Sequence, residues 1–171
     1  TEKRMDVLFA AVPLDRLARL MAPLEMLGLE ADVVDAAPLA LINTLFHQVE
    51  FGPATHILLD IGSAASHLVI HQRSQPFFAR RLEFGGRDLT VAITRGMKIP
   101  FEEAEAWKRD AAQSASPTRW DLPELECVAE SVRFGLVEEL RRTFAFYRTI
   151  GALNDPVTLW LSGGGAQLPG L

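Results

Sequence analysis

Cysteine is almost absent from this sequence, since Cys127 is the single one in 171 residues. An internal disulfide is therefore impossible, and such usage is typical of a reducing compartment. The apolar runs are also short, because charged residues interrupt them well before the ~20 residues that a membrane span requires. The chain opens with Thr1-Glu-Lys-Arg-Met-Asp and lacks the apolar stretch of a secretory signal. We therefore expect a soluble, cytoplasmic protein.

Positive charge is not in excess, and metal-binding patterns are missing. The formal net charge is −5 and the pI about 5.4, so nothing predicts binding to nucleic acid. His67 and His71 are four residues apart in a predicted strand, which places them ~13 Å from each other, too far to share a metal ion. No cysteine or carboxylate pattern surrounds His47 or His56. The sequence thus predicts neither a metal cluster nor a Ser–His–Asp site.

The first part of the chain predicts a small α/β subdomain. Residues 7–12 form a short apolar run suited to a buried strand, and residues 30–35 indicate a second strand. A helix lies between them, with Gly28 as its stop signal and Pro23 inside it, where we expect a kink or a break. A short helix over residues 38–46 follows. The apolar positions at helical spacing in the first helix are Leu14, Leu17, Met21, Leu24 and Leu27.

From residue 55 the pattern changes to closely spaced strands. We predict strands at 55–61, 67–72 and 76–82, and their short connections make them an antiparallel meander. A final strand at 157–161 would return to this meander and give a mixed sheet.

Helical patterns fill the stretch between the meander and the final strand. Asp88 can cap a helix that runs through Ile93, and a second helix covers residues 101–110. Residues 111–122 form a loop, and 123–150 form the longest helix, about 40 Å at ~1.5 Å per residue. One apolar stripe follows this long helix, formed by Leu125, Val128, Val132, Leu136, Leu140, Phe144 and Tyr147.

Two predicted strands end in glycine, at Asp60-Ile-Gly62-Ser63 and at Gly163-Gly164-Gly165. Consecutive glycines let a backbone approach the flat face or the phosphates of a ligand. The first of these segments joins two strands, which excludes a P-loop or a dinucleotide fingerprint. A hairpin tip can still present successive N–H groups to phosphate, and Asp60 is placed to hold a water of a bound Mg²⁺. A plain hairpin is the alternative, because Asp and Gly are common in turns.

Glu105 and Lys108 are three residues apart on a predicted helix, so both lie on one side of it. They could bracket a pair of ribose hydroxyls, although a solvated helix face would show the same spacing. Gly85-Gly86 is more typical of a tight corner between strand and helix than of a ligand site.

Together these features resemble the second half of an actin-like ATPase, and within that superfamily they are similar to the PilM family of type IV pilus assembly proteins. The stretches that carry the resemblance are Phe84-Gly-Gly-Arg-Asp-Leu-Thr90, Pro100-Phe-Glu-Glu-Ala-Glu-Ala-Trp-Lys108 and Leu161-Ser-Gly-Gly-Gly-Ala-Gln-Leu-Pro-Gly-Leu171. The resemblance implies an α/β actin-like (ribonuclease H-like) fold. Residues 1–47 would end a first domain with an inserted strand–helix–strand subdomain and a return helix. Residues 48–171 would be the second domain, truncated at its C-terminal end.

The resemblance also implies roles for individual residues. Asp60 would hold a Mg²⁺ water, Gly62 and Ser63 would contact phosphate, and Glu105 and Lys108 would contact the ribose. The other phosphate loop lies near the family's N-terminus, so we expect ATP and Mg²⁺ to bind only the full-length protein. The glycines that would face the adenosine are Gly163, Gly164 and Gly165.

For function, the resemblance implies a scaffold that binds ATP with weak or no ATPase activity. It would dock the cytoplasmic tail of a PilN-like inner-membrane protein, contact other pilus platform proteins and support twitching motility at the inner face of the membrane. Two alternatives stay open: an FtsA-like membrane tether of cell division, and a sugar or acyl kinase of the same fold.

Overall fold

The computed structural model describes residues 7–48, 52, 54–72, 77–113, 122–151 and 157–168. The chain divides into two compact units, Thr1–Glu50 and Phe51–Leu171. In the described residues, no helix combines the length and the apolar character needed to cross a membrane.

The first unit contains two helices, α1 (Leu14–Met26) and α2 (Ala37–Gln48), close to the predicted positions. Gly28 ends α1 with φ of +68°, and the N–H groups of Gly28 and Leu29 donate to the carbonyls of Glu25 and Leu24. This is a Schellman motif, which requires the left-handed conformation that glycine adopts without strain. Of the kink or break predicted at Pro23, the break does not occur, because α1 continues to Met26. Proline removes one intrahelical hydrogen bond, and the bonds of the following turn hold the helix together.

The strands predicted at 7–12 and 30–35 are not formed in the described part of this unit, so that prediction is wrong. A strand exists only when its backbone pairs with a neighbour, and neither segment has a partner strand there. Their apolar side chains are correspondingly open to solvent: Val7 is 72%, Phe9 85% and Val33 80% exposed.

The second unit is built on a four-stranded sheet with the order β3-β2-β1-β4. β1 and β2 pair antiparallel, as do β2 and β3, whereas β4 lies parallel to β1. The predicted meander and returning strand are therefore confirmed, although the connection predicted at 73–75 lies outside the described residues. The strands are β1 (Thr55–Ile61), β2 (Ser66–His71), β3 (Phe78–Leu82) and β4 (Val157–Ser162).

In the described part of the connection between β3 and β4, three helices make the crossover that a parallel strand requires. They are α3 (Gly86–Met97), α4 (Phe101–Gln113) and α5 (Pro123–Ile150). The prediction for α5 is confirmed at both ends. α3 and α4 are longer than predicted, so residues 111–113 are helical and not loop, while 114–121 lie outside the described residues.

α5 packs its apolar stripe across one face of the sheet. Its Leu136 and Tyr147 join alternate residues of the strands in one buried cluster. The strand residues of this cluster are Ile57, Leu59, Ile61, Leu68, Ile70 and Leu82. A second cluster fills the space between α3, α4 and α5, and it includes Leu168 from the segment after β4. The glycine-rich end of β4 is therefore anchored next to α3 and α4.

Candidate functional site

The β1–β2 hairpin is tied directly to the start of α3. The N–H groups of Gly86 and Arg87 donate to the carbonyls of Gly62 and Ser63 at 2.9 and 2.8 Å. A Cβ on Gly85 would overlap the Ser63 carbonyl, which explains the glycine and confirms the predicted tight corner. Asp88 caps this helix, as the sequence predicts. It is the third helical residue, and its carboxylate accepts the Gly85 N–H at 2.8 Å.

The hairpin tip presents unpaired backbone donors. The Gly62 N–H closes the turn on the Ala65 carbonyl at 3.2 Å. The N–H groups of Ser63 and Ala64 donate to no acceptor among the described residues, and both residues are exposed. Successive free N–H groups in a turn held from behind form an anion-binding concavity.

The triple glycine after β4 serves two different purposes. A Cβ on Gly163 would lie 2.9 Å from Asp60 Oδ1, and one on Gly165 would overlap the Ile61 side chain. These two glycines are explained by close packing of the β4 end against the β1 end. A Cβ on Gly164 would meet nothing within 4 Å, so Gly164 alone of the three faces open space.

Glu105 and Lys108 belong to a hydrogen-bond network that ties α4 to α3. The Lys108 ammonium donates to Glu105 Oε2 at 2.6 Å, to Thr90 Oγ1 at 2.9 Å and to the Gly86 carbonyl at 3.1 Å. The Thr90 hydroxyl donates to the same carboxylate oxygen at 2.5 Å. The other oxygen, Oε1, accepts from Arg109 Nε at 3.1 Å.

This network keeps Glu105 ionised. Burial alone would raise the pKa of its carboxyl group, but hydrogen bonds from Lys108, Thr90 and Arg109 outweigh that effect and lower the pKa to about 2. The site therefore contains a fixed negative charge beside an almost buried ammonium group.

These parts surround one cavity of about 300 Å³ in the second unit. The carboxyl ends of the parallel strands β1 and β4 meet at its edge, the usual position of ligand sites in such sheets. The sequence-predicted residues in its lining are Gly62, Ser63, Glu105, Lys108, Gly164 and Gly165.

Sequence reasoning missed several lining residues. On α4 these are Arg109, Ala112 and Gln113, which follow Glu105 at four-, seven- and eight-residue steps and could have been found from helical spacing. The others come from the start of α3, where the sequence favours a tight corner over a ligand site, and from the segment after the three glycines. They are Gly86, Gln167 and Leu168.

Asp60 and Gly163 are not in the lining; Asp60 lies two residues before Gly62, and Gly163 directly precedes Gly164. Asp60 pairs with His67 across β1 and β2, and its Oδ2 lies 3.8 Å from His67 Nδ1. Among the described residues, no three His, Cys, Asp or Glu side chains come together as a metal site. A single carboxylate beside a phosphate-sized cradle still fits Mg²⁺, which keeps several waters and binds through one or two carboxylates plus substrate phosphates.

The chain, with its mixed four-stranded sheet, has the fold of actin-like proteins. MreB 5 of Spiroplasma citri bound to AMPPNP has this fold, with a TM-score of 0.62, 17% identity and coverage of 92% of this chain and 55% of that chain. An archaeal actin homologue in complex with ADP aligns with a TM-score of 0.53 and 20% identity, over 78% of this chain and 44% of that chain. The predicted α/β actin-like fold class is confirmed.

Over residues 1–171 the sequence matches the family described as type IV pilus assembly protein PilM, and the chain belongs to that family. The structure of a PilM–PilN type IV pilus biogenesis complex has a TM-score of 0.76 and 28% identity to it. That match covers 92% of this chain and 43% of that chain, so the chain spans less than half of the similar protein. The predicted family resemblance is confirmed.

Proposed function

We propose that this protein is a nucleotide-binding scaffold of type IV pilus assembly, which docks the cytoplasmic tail of a PilN-like inner-membrane protein. The observation that carries the nucleotide part is the convergence of a phosphate cradle, an ionised carboxylate and a side-chain-free wall on one cavity of about 300 Å³. Membership of the PilM family and the similarity to a PilM–PilN complex support the pilus part.

In this proposal each wall of the cavity takes one part of ATP. Phosphate oxygens accept a hydrogen bond from the free N–H group of Ser63, next to Gly62. The wall formed by Glu105 and Lys108 faces the ribose. The adenosine lies against the side-chain-free surface at Gly164, with Gly163 and Gly165 shaping the backbone on either side. When bound, Mg²⁺ would neutralise phosphate charge, and Asp60 would hold one of its waters.

The PilN-like tail would dock on the first unit. An apolar groove of about 460 Å³ lies between the start of α1 and the segment before α2. Arg16 and Asp35 provide the charged groups in its lining, so a short peptide with apolar anchors and charges of both signs fits it. The apolar lining residues are Ala10, Ala11, Val12, Leu17, Leu20, Val34 and Ala36.

The proposed location follows from this docking. The protein would work at the cytoplasmic face of the inner membrane, held there through its partner and through other pilus platform proteins. Its contribution to twitching motility would then be mechanical linkage, and ATP would stabilise the docking-competent state by mass action.

One observation favours an ATP-hydrolysing protein instead. His67 lies beside Asp60, and an imidazole next to a carboxylate is an arrangement from which a general base can be made. We expect weak or no turnover nevertheless, because a carboxylate occupied by the water shell of the metal is poorly placed to activate an attacking water. A sugar or acyl kinase would also need a catalytic acid and a substrate loop outside the described residues.

A pair of matched variants tests the docking proposal in the full-length protein. Leu20 and Met26 are both exposed on α1, but only Leu20 lines the groove. We expect Leu20→Glu to weaken binding of a synthetic PilN-like tail peptide at least tenfold and Met26→Glu to leave it unchanged, measured by fluorescence anisotropy. Equal peptide binding by the two variants would contradict the proposed groove.

Genes for cell division next to the coding sequence, in place of pilus genes, would favour the FtsA-like alternative.

A further inference from the structure

We propose that Thr90 is a positioning residue of the nucleotide site, which together with Lys108 holds the Glu105 carboxylate so that one oxygen stays available for a ribose hydroxyl. The inference rests on the proposed nucleotide binding and goes beyond it in two respects. It adds a residue that does not line the cavity, and it changes the role of Lys108 from a ribose contact to a support of Glu105.

Thr90 is fully buried in the second turn of α3, with none of its surface exposed. Its Oγ1 lies 2.5 Å from Glu105 Oε2 and 3.2 Å from the Gly86 carbonyl. A hydroxyl has one proton to donate, and the shorter, charged acceptor takes it. Because Oγ1 also accepts from Lys108 at 2.9 Å, the hydroxyl fixes both members of the pair at once.

The Lys108 ammonium is fully used within this network. It has three N–H donors, and Gly86, Thr90 and Glu105 supply three acceptors at 2.6 to 3.1 Å. Its side chain is only 11% exposed. A direct bond from Lys108 to a ribose would break one of these bonds, so Lys108 acts on the ligand through Glu105.

Glu105 keeps room for one more hydrogen bond. A carboxylate offers about four lone-pair positions, two on each oxygen. Oε2 accepts from Thr90 and Lys108 and is saturated, whereas Oε1 accepts only from Arg109 among the described residues. Because Glu105 lines the cavity, the remaining position on Oε1 fits a hydroxyl donor such as the ribose of a nucleotide.

The same network joins the ribose wall to the phosphate cradle. Gly86 donates its N–H to the Gly62 carbonyl at 2.9 Å, and its own carbonyl accepts from Lys108 at 3.1 Å. A continuous series of hydrogen bonds thus runs from the hairpin through α3 to Glu105. The two parts of the site that a nucleotide must bridge are therefore held at a fixed separation.

The test uses Thr90→Val, which keeps the shape of the side chain without the hydroxyl, and Thr90→Ser, which keeps the hydroxyl. Calorimetry on the full-length protein would compare ATP with 2′-deoxy-ATP and 3′-deoxy-ATP in the presence of Mg²⁺. We expect the parent to prefer ATP over at least one deoxynucleotide. Thr90→Val should weaken ATP binding roughly tenfold and remove that preference, because a Glu105 carboxylate that is no longer held in place loses its charge-assisted hydrogen bond to the ribose. Thr90→Ser should restore both.

A ligand-free measurement separates this inference from the proposed function. ¹³C NMR can follow the Glu105 carboxyl group as pH is lowered, and it should titrate with a pKa of about 2 in the parent and higher in Thr90→Val. An ordinary pKa in the parent would overturn the network, whether or not ATP binds. Failure of the parent to bind any nucleotide, with the low pKa present, would contradict the proposed nucleotide binding and with it the ribose role of Glu105, while the hydrogen-bond network itself would stand.

The result that overturns the inference directly is a folded Thr90→Val protein with parental ATP affinity and parental ribose preference. Should Thr90→Val not fold, Thr90→Cys keeps a similar volume with only a weak donor and replaces it in the same comparison.

Discussion

His67 lies directly opposite Asp60 on the neighbouring strand, with its Nδ1 3.8 Å from Asp60 Oδ2. Both side chains are partly buried at the sheet end where the hairpin begins. In the sequence, the histidine nearest to His67 is His71, four residues further along the same strand. Pairing between strands decides which groups meet, and it brings the histidine next to the carboxylate that we propose for the Mg²⁺ water.

The contact between His67 and Asp60 allows a specific prediction for the rate of ATP hydrolysis. We expect steady-state phosphate release from the full-length protein to stay far below the ~10 s⁻¹ typical of enzymes. We also expect His67→Asn to leave that slow rate unchanged, because the histidine does not act as a base in a scaffold. A malachite green assay would measure both proteins. A rate that is fast in the parent and at least a hundredfold lower in His67→Asn would favour the hydrolase alternative.

Gly164→Val should abolish nucleotide binding while leaving the fold intact. A Cβ at this position meets no protein atom within 4 Å, so the added side chain projects into the space that we propose for the adenosine. Calorimetry with ATP and thermal unfolding of the full-length variant would measure the two effects.

Gly165→Ala is the matched comparison for that variant. A Cβ at Gly165 would overlap the Ile61 side chain, so this smaller change should lower the free energy of unfolding by more than about 1 kcal/mol. A Gly164→Val protein that still binds ATP like the parent would show that the adenosine lies elsewhere.

Glu105 should make the stability of the protein depend on pH in the acid range. Its folded-state pKa of about 2 lies below the ordinary value of 4.5, so the unfolded chain binds more protons between these values. The stabilisation is fully present above pH 4.5 and is lost as pH falls toward 2; the pKa difference corresponds to about 3 kcal/mol.

Urea unfolding at a series of pH values would measure this contribution. The Glu105→Gln variant should lack that part of the pH dependence, whereas Glu102→Gln, at an exposed position of the same helix, should keep it. Identical pH profiles for the parent and Glu105→Gln would mean that the network around Thr90 and Lys108 contributes no stability.

The elements that can be predicted well are those whose signal is local. The apolar stripe of α5 repeats from Leu125 to Tyr147, over most of a helix of 28 residues, so its signal is strong. The strands at 7–12 and 30–35 failed for the opposite reason, since an apolar run is only a strand where another strand pairs with it. Sequence alone provides the run but not the partner.

The candidate site likewise has features that local sequence patterns predict and features that depend on contacts between distant parts of the chain. Glycines at two strand ends and the Glu105–Lys108 spacing can be found in the sequence, and the structure brings them to one cavity. The hydrogen bonds of Lys108 could not be predicted, because one of them is made to Thr90, which lies 18 residues earlier on a different helix. Likewise, only the contact between β1 and β4 shows that two of the three glycines are needed for packing.

The last prediction concerns the chain of 171 residues on its own. The chain covers 43% of the similar chain from the PilM–PilN complex, and the family resemblance implies a second phosphate loop outside residues 1–171. Each missing charge-assisted contact is worth ~1.5–3 kcal/mol, so residues 1–171 alone should bind ATP weakly or not at all. Calorimetry that shows micromolar ATP affinity for this chain would contradict the two-domain site.

The isolated chain of 171 residues should also bind the PilN-like peptide more weakly than the full-length protein does. The groove in the first unit is present in the isolated chain, so some peptide binding should remain. This binding should be far weaker than that of the full-length protein, because we expect the second wall of the docking site to lie outside residues 1–171.

In the full-length protein, ATP should tighten peptide binding, because a ligand that favours the closed state favours every other ligand of that state. Gly164→Val should then bind the peptide like the nucleotide-free parent and show no response to ATP. A peptide affinity that is the same with and without ATP, in a protein shown to bind ATP, would mean that the nucleotide does not regulate docking.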